Sequence, residues 1–222
     1  MTYQFDFSVL LPYWEQLLRG CWLTILLSAI SISAGLTIGI LTALAKRSRS
    51  TAARIAAGTY VEIIRNTPFL VQVFFIFFGL PALGISFQPW SAAILALSLN
   101  CGAFSAEVIR GGIDAIARGQ YEAGTALGLK PLQIFRHIVL KPALRIIFPA
   151  LSGQFVLTLL TTSIVSSISA EELTSIAQSI DTLTFRSFEI YIVATILYLT
   201  MSFGFATLFK LIDRVYFSYP VK

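Results

Sequence analysis

A chain of 222 residues has room for about one domain, and a hydrophobic share of 56% is too high for an ordinary soluble globule. Charged residues make up 12% of the chain, about half of their usual share in a soluble domain. The net charge of +5 does not indicate a nucleic-acid partner, because the basic residues cluster beside apolar runs, which is typical of a protein oriented in a membrane. We therefore expect an all-α integral membrane protein in contact with lipid.

The first 19 residues mix apolar, aromatic and acidic side chains. Leu10, Trp14 and Leu17 recur at helical spacing, and Tyr13 and Trp14 are residue types that favour the level of the lipid headgroups. The pattern predicts a short helix over residues 1–19 that lies in the membrane interface.

The first predicted span covers residues 20–45, a charge-free run that exceeds the roughly 20 residues a membrane-crossing helix needs. Small residues, among them Gly35 and Gly39, favour close packing on neighbouring helices. Basic residues follow at Lys46 and Arg47. By the positive-inside rule this end of the span is cytoplasmic, so the N-terminus is expected outside.

The second and third predicted spans cover residues 57–79 and 90–109. Pro68 predicts a kink in the second span. Each span carries two opposite charges one helical turn apart, which can pair, namely Glu62 with Arg65 and Glu107 with Arg110. Two roles are considered for such a pair: a structural contact near the cytoplasmic interface, or a latch that changes with the conformation of the protein.

A hydrophilic loop is predicted over residues 110–145, because its six Lys or Arg residues cannot sit in hydrocarbon without a large cost. Within it, the run from Glu122 to Gly128 reads as one short helix. Alanine and leucine favour the helix, Glu122 suits the positive end of its dipole, and Gly128 can end it. A short helix on an aqueous loop between two spans is a shape that another protein can bind.

The fourth predicted span, residues 146–170, is crowded with hydroxyl groups in its second half and leads to two carboxylates. Hydroxyls in hydrocarbon need partners, although serine and threonine can bond back to their own helix. The pattern fits either close helix packing or a polar translocation path for a zwitterionic solute. The residues concerned are Thr158, Thr161, Thr162, Ser163, Ser166, Ser167, Glu171 and Glu172.

Residues 171–189 are predicted as an outer loop rich in carboxylates. Its acidity would favour cationic solutes or a basic patch on a docking partner, or else the loop is simply solvated. A fifth span is predicted over residues 190–209. Lys210, Arg214 and Lys222 follow it and place the C-terminus inside.

Several motifs, in order along the chain, carry a family resemblance. Residues 122–129, EAGTALGL, followed by IFRHIVLKPALR, resemble the signature loop of the permease subunits of bacterial ABC importers. The run Gly-Gln-Tyr-Glu-Ala at residues 119–123 is similar to the polar amino acid branch of that family, and Thr-Ser-Ile-Val-Ser at residues 162–166 resembles another of its motifs. This chain departs from the usual pattern at Gly124, where a second alanine is common, and at Leu160, where a lysine is often found.

The resemblance implies the type I ABC importer fold, with five transmembrane helices and a cytoplasmic coupling helix. It also implies two ATP-binding cassette subunits, a second permease chain (identical or related), a periplasmic or lipid-anchored solute-binding protein and an amino acid-type substrate, at the bacterial inner membrane. ATP and magnesium would be bound by the partner subunit, so no cofactor is expected in this chain. The residues that would dock on the ATPase subunit are Gln120, Glu122, Ala123, Gly124, Leu127 and Gly128.

A gradient-driven carrier or channel for small polar solutes is the alternative. It predicts intramembrane charges away from the span ends or an internal inverted repeat, and the sequence shows neither. A membrane-embedded enzyme would need a catalytic set within the spans, which the sequence lacks. His137 stands alone among residues that bind metals. We therefore expect no catalytic residue and no metal site, and transport driven by the ATPase activity of a partner.

Overall fold

A computed structural model describes residues 3–216, and all regular structure within that range is helical. Lys222 and the first two residues of the predicted interfacial helix lie outside it. Four of the described helical segments are long and apolar enough to cross a membrane, and a bent helix pair supplies a fifth candidate when it is counted as one span. The predicted all-α membrane fold with five candidate spans is confirmed.

Helix α1, Trp14–Lys46, runs unbroken and follows directly on a short 3-10 helix, Phe7–Tyr13. Residues 14–19 are therefore continuous with the helix that contains the first predicted span, and the interfacial position of this segment stays a prediction. Gly20 does not break α1. A Cβ at that position would lie 2.9 Å from the Cα of Leu173, so the glycine allows the close approach of a later segment.

Helix α4, Pro89–Asp114, packs closely along α1 because small residues face each other across the contact. A Cβ on Gly35 would lie 2.8 Å from the Cβ of Cys101, and a Cβ on Gly39 would lie 2.7 Å from the Cβ of Ser105. Small residues let two helices approach closely in lipid, where packing rather than exclusion of water drives their association.

The second predicted span, residues 57–79, is not one straight helix. Helix α2, Thr51–Arg65, meets the following helical stretch at a bend of 111°. Pro68 lies in the break with an extended backbone, so the expected kink is a full change of direction. Beyond the bend the chain forms α3, a π-helical turn and a 3-10 turn, over Phe69–Phe74, Phe75–Gly79 and Leu80–Leu83.

The side-chain amide of Gln72 holds this bend. The usual helical partner of the Ile64 carbonyl is the residue four positions on, which is Pro68 and has no N–H. Gln72 Nε2 donates instead to the carbonyl oxygens of Ile64 (2.7 Å) and Thr67 (3.1 Å). Its Oε1 accepts a hydrogen bond from Asn100 of α4 at 3.1 Å. Because Gln72 is buried, these bonds satisfy backbone groups that water does not reach.

The loop predicted over residues 110–145 is mostly helical, and the helical segment that contains the fourth predicted span begins well before residue 146. A single apolar helical segment extends over Pro131–Ile168. The charges between residues 130 and 145 lie on the end of this segment, and a charged helix end can reach water without unwinding. After α4 the elements are α5, α6, a π-helical turn, α7 and a 3-10 helix, over Arg118–Ala126, Pro131–Ile134, Phe135–Val139, Leu140–Thr161 and Thr162–Ile168.

Residues 171–189 form a helix where an outer loop was predicted. Helix α8 spans Leu173–Thr184, and Phe185 ends it in the left-handed region at φ +54°. Helix α9, Ser187–Tyr216, follows at once. The stretch carries several carboxylates, but it also has an amphipathic pattern. The residues that α8 buries recur at helical spacing, which indicates a helix. They are Leu173, Ile176, Ala177 and Ile180.

Helix α1 connects two ends of the bundle. Near its start Arg19 pairs with Glu171 at 3.1 Å, next to α8. At its last residue Lys46 pairs with Glu107 at 2.6 Å, near the point where α4 leads into α5. We call these the α8 end and the α5 end of the bundle.

Candidate coupling loop and solute path

Helix α5 begins at Arg118, four positions before the predicted start at Glu122. Glu122 therefore lies within the helix rather than at its positive end, and the dipole argument for it is wrong. Its carboxylate instead lies 3.2 Å from Arg118 Nε on the same exposed face. The predicted end of the helix is correct, since Gly128 adopts φ +73°, a conformation that favours glycine.

Gly124 is the buried residue of α5. A Cβ at this position would lie 2.9 Å from Ile134 and equally close to Ile138. Glycine thus allows α5 to pack directly on the chain that leads into α7. Of the residues predicted to dock on a partner, Gly124 faces inward and contributes packing, not an exposed contact.

The other predicted docking residues lie on the open side of α5 and its C-terminal turn. Gln120, Glu122, Ala123 and Gly128 are exposed, and the Leu127 side chain is 77% exposed. Leu132, which the sequence did not single out, is 76% exposed beyond the same turn. Two leucines beside an exposed short helix give this end of the bundle an apolar surface that suits a protein partner.

A cluster of charges lies between α1, α2 and α4 at the α5 end. Glu107 accepts hydrogen bonds from Lys46 Nζ at 2.6 Å and from Arg110 at 2.8 Å, so the predicted contact between Glu107 and Arg110 is present. Its side chain is only 18% exposed, which strengthens these interactions relative to surface pairs. Asp114 extends the cluster through Arg47 at 2.7 Å.

The other predicted pair does not form. Among the ion pairs of the described residues, Arg65 faces Glu107 at 3.8 Å rather than Glu62, and its guanidinium lies over the ring of Phe104. Glu62 accepts a hydrogen bond from Asn66 at 2.9 Å. Arg65 is the last residue of α2, and the bend that follows places it beside α4, so helical spacing did not decide its partner.

The hydroxyl groups of the predicted path bond back to their own chain. Each donates to a carbonyl oxygen three or four residues earlier, at 2.7–2.9 Å. This satisfies their hydrogens in a low-dielectric setting and leaves their oxygens free to accept. The residues are Thr158, Thr161, Thr162, Ser163, Ser166 and Ser167.

A groove of about 420 Å³ lies between the last turns of this stretch and α9. Of the predicted path residues, Ser163 lines it, whereas Thr158 and Thr162 are buried inside the bundle. Hydroxyl and apolar groups form its wall, and it carries no charged side chain among its lining residues. Those residues are Leu160, Ser163, Thr195, Tyr198, Leu199 and Ser202.

Glu171 and Glu172 have different environments. Glu171 is exposed and pairs with Arg19. Glu172 is fully buried and caps α8, with Oε1 accepting from the Ser175 N–H at 2.8 Å and Oε2 accepting from the Tyr198 hydroxyl at 2.5 Å. Burial raises the pKa of the Glu172 carboxyl above its ordinary value. Glu172 therefore does not line an open path in this conformation.

The remaining buried carboxylate of this end is Glu189 at the start of α9. It is fully buried and accepts hydrogen bonds from the Tyr3 hydroxyl and, at 2.9 Å, from the Asp6 N–H, with Arg186 beside it. These two buried carboxylates are enclosed by their partners and do not offer their charge to a solute in this conformation, whereas Glu171 is exposed.

Tyr198 is the residue that sequence reasoning missed. It both lines the groove and binds Glu172. The available signal was a tyrosine in the middle of an apolar span, because a phenol hydroxyl in hydrocarbon requires a polar partner.

The helical bundle, its five candidate spans and the exposed helix between two of them are those of a multi-pass membrane protein. The chain belongs to the family of binding-protein-dependent transport system inner membrane components, whose family profile matches residues 35–217. The resemblance to the permease subunits of bacterial ABC importers is therefore confirmed.

Known relatives match nearly the whole chain. The glutamine transport system permease protein GlnP of Escherichia coli (strain K12) is 34% identical over 213 residues, which cover 95% of this chain and 97% of GlnP. The nopaline transport system permease protein NocM of Agrobacterium fabrum is 36% identical over 218 residues, covering 94% of this chain and 90% of NocM. The crystal structure of an amino acid ABC transporter with histidines matches with a TM-score of 0.91 at 34% identity, covering 96% of this chain and 99% of that chain.

Proposed function

We propose that this chain is the translocation subunit of an ATP-driven importer for polar amino acids or related compounds. Relatives named as permeases for glutamine and for nopaline, an opine, match it over most of its length. The structural match to an amino acid ABC transporter supports the same substrate class. The groove that Ser163 lines has hydroxyl and apolar walls, which suit a solute with a zwitterionic head and an uncharged side chain.

The observation that carries this proposal is α5 with its two neighbouring leucines. Gly124 allows the helix to pack closely on Ile134 and Ile138, while Leu127 and Leu132 are exposed. A helix that packs tightly on the bundle and exposes two leucines can bind a partner protein. A movement of the bound partner would then move this helix. We assign α5 as the contact with an ATP-hydrolysing subunit.

The route from α5 to the groove runs along one continuous helical segment. Ile134, Val139, Ala143 and Ile147 belong to one buried core cluster near α5. The same segment, Pro131–Ile168, carries the groove residue Ser163 farther along. A displacement of α5 therefore moves the groove wall. Binding of ATP by the partner would shift the bundle toward one side of the membrane, and hydrolysis would return it.

The proposed orientation places the α5 end in the cytoplasm, with the N-terminus outside and the C-terminus inside. Lys46, Arg47 and Arg110 lie at the α5 end, consistent with the positive-inside rule. Arg19 and Arg186 at the α8 end are each paired with a glutamate of this chain.

The proposed assembly contains two ATP-binding cassette subunits, a second permease chain and an external solute-binding protein. ATP and magnesium are assigned to the partner subunits, and no catalytic role is assigned to this chain. The α8 end is the proposed face for the solute-binding protein, because it is the outer end in this orientation.

The test is to isolate a tagged copy of the chain in mild detergent, identify co-purifying proteins by mass spectrometry, and reconstitute the assembly in liposomes. We expect a P-loop ATPase in the preparation and uptake of L-glutamine or an opine that requires enclosed ATP. Uptake by the chain alone, driven by an ion gradient without ATP, would overturn the proposal in favour of a secondary carrier.

A further inference from the structure

Tyr198 connects the groove to α8. Its hydroxyl donates to Glu172 at 2.5 Å and lies 2.9 Å from the Thr174 hydroxyl. A phenol has one hydrogen, which goes to Glu172, so the Thr174 hydroxyl donates to Tyr198. Both partners belong to the start of α8, where Glu172 is the N-cap. One side chain of α9 thus holds the first turn of α8 by two hydrogen bonds.

The start of α8 is also fixed to α1. The Leu173 N–H donates to Thr24 Oγ1 at 3.1 Å, and Gly20 allows the Leu173 backbone to approach α1 closely. The contact with Tyr198 differs from this one because Tyr198 also lines the groove, next to Ser163 and Thr195. A solute that displaces the Tyr198 side chain breaks both of its bonds to α8 at once.

The loss of these bonds has a direct physical consequence. Glu172 is fully buried, and without Tyr198 the contacts left to its carboxylate come from its own helical turn, from the Ser175 N–H at 2.8 Å and from Thr174. A buried acceptor that loses its partner is unfavourable, so the N-terminal turn of α8 must rearrange or open toward water.

We propose that Tyr198 is a positioning residue that couples occupancy of the groove to the release of α8. An empty groove leaves Tyr198 bound to Glu172 and keeps α8 in place, whereas a filled groove frees it. The proposal rests on the proposed function only in naming the occupant as a transported solute. The contact between Tyr198 and α8 can be tested whether or not the chain transports anything.

Hydrogen–deuterium exchange over residues 173–184, measured on the chain in its purified assembly, tests the hydrogen bonds. Tyr198→Phe keeps the ring and removes the hydroxyl with both of its bonds to α8. We expect exchange of α8 to rise at least about tenfold, because the loss of the bond to the buried carboxyl alone has an effect of that size. Glu172→Gln keeps one acceptor oxygen, for the Ser175 N–H, and replaces the other with an NH2 group that donates to the Tyr198 oxygen, so its exchange should lie between the wild type and Tyr198→Phe. Glu172→Ala removes both bonds and should raise exchange at least as much as Tyr198→Phe. Wild-type exchange in Tyr198→Phe would overturn the proposal.

A second pair of variants tests the link to the groove without knowledge of the solute. Ser202→Trp places a large side chain in the groove, and we expect the same increase in α8 exchange as with Tyr198→Phe. Thr200→Trp, on an exposed position of α9 that does not line the groove, is the matched control and should leave α8 unchanged. An increase in Tyr198→Phe without one in Ser202→Trp would show that the bonds exist but that groove occupancy does not control them.

A wild-type assembly that fails to import solute while these exchange results hold would refute the proposed function and leave the contact intact.

Discussion

The ammonium group of Lys46 lies 2.6 Å from the carboxylate of Glu107, which joins the last residue of α1 to α4. Arg110 shares the same carboxylate at 2.8 Å, and Arg65 approaches it from the end of α2 at 3.8 Å. One partly buried glutamate therefore fixes three helices at the α5 end, next to the helix that we assign to coupling.

Glu107→Gln removes the charge at the centre of this cluster and leaves three basic groups facing each other. We expect the free energy of unfolding to fall by about 1–3 kcal/mol, because the remaining charges are partly shielded from water. The measurement is the midpoint of unfolding in detergent. Glu62→Gln is the matched control, since Glu62 is exposed and binds Asn66. Equal midpoints for the two variants would contradict the central role of Glu107.

Gly124→Ala should disturb the packing of α5 on Ile134 and Ile138. The added Cβ would lie 2.9 Å from both Ile134 and Ile138, so either α5 or these two side chains must shift. We expect reduced ATP-driven uptake, with partial recovery in Gly124→Ala combined with Ile138→Val, which removes the Cδ1 atom in the way.

Gly119→Ala is the control for that change, because it lies in the same helix with open space around its added Cβ. Alanine there should favour the helix by roughly 0.5–1 kcal/mol and leave uptake unchanged. If Gly119→Ala lowered uptake as much as Gly124→Ala, helix propensity rather than packing on Ile134 and Ile138 would explain the effect.

Glu122→Lys tests whether the open face of α5 is a docking surface. Its ion pair with Arg118 is highly exposed, so its loss should not change stability measurably. We expect uptake to fall about tenfold or more while the chain remains inserted, equivalent to ~1.4 kcal/mol of coupling energy. Glu15→Lys makes the same charge change on an exposed residue near the start of α1 and should have little effect. Normal uptake by Glu122→Lys would exclude this face as the contact.

Much of the fold could be predicted from apolar run length and from the placement of charge. The first span and α4 follow from these signals because lipid admits few charges. The bend between α2 and α3 could not, because Pro68 indicates a kink but the angle depends on Gln72 and its distant partner Asn100. Similarly, α8 was not predicted. The acidic residues of this stretch indicate a solvated loop, whereas the helical spacing of its buried residues indicates a helix.

At the candidate site, too, a feature that depends on neighbouring residues could be predicted, whereas contacts that depend on distant residues could not. Gly128 ends α5 as predicted, because a left-handed glycine is a local property. The partner of Arg65 was predicted wrongly, because it is set by the direction in which the chain leaves α2. Tyr198 in an apolar span indicates that a polar partner is needed, but it does not indicate that this partner is Glu172 on the preceding helix.

Leu160 offers the most direct test of the groove. It lines the wall near Ser163, and its apolar side chain leaves the lining without a charge. Leu160→Lys should lower the ratio of L-arginine to L-glutamine uptake, because a fixed cation repels a cationic side chain at short range in a low-dielectric site. A tenfold change in this ratio corresponds to about 1.4 kcal/mol. Competition between the two radiolabelled amino acids in proteoliposomes measures it, and Leu160→Gln, similar in size but neutral, separates charge from shape. If the charged and neutral variants gave the same ratio, the groove would not be the part of the path that senses the solute's side chain.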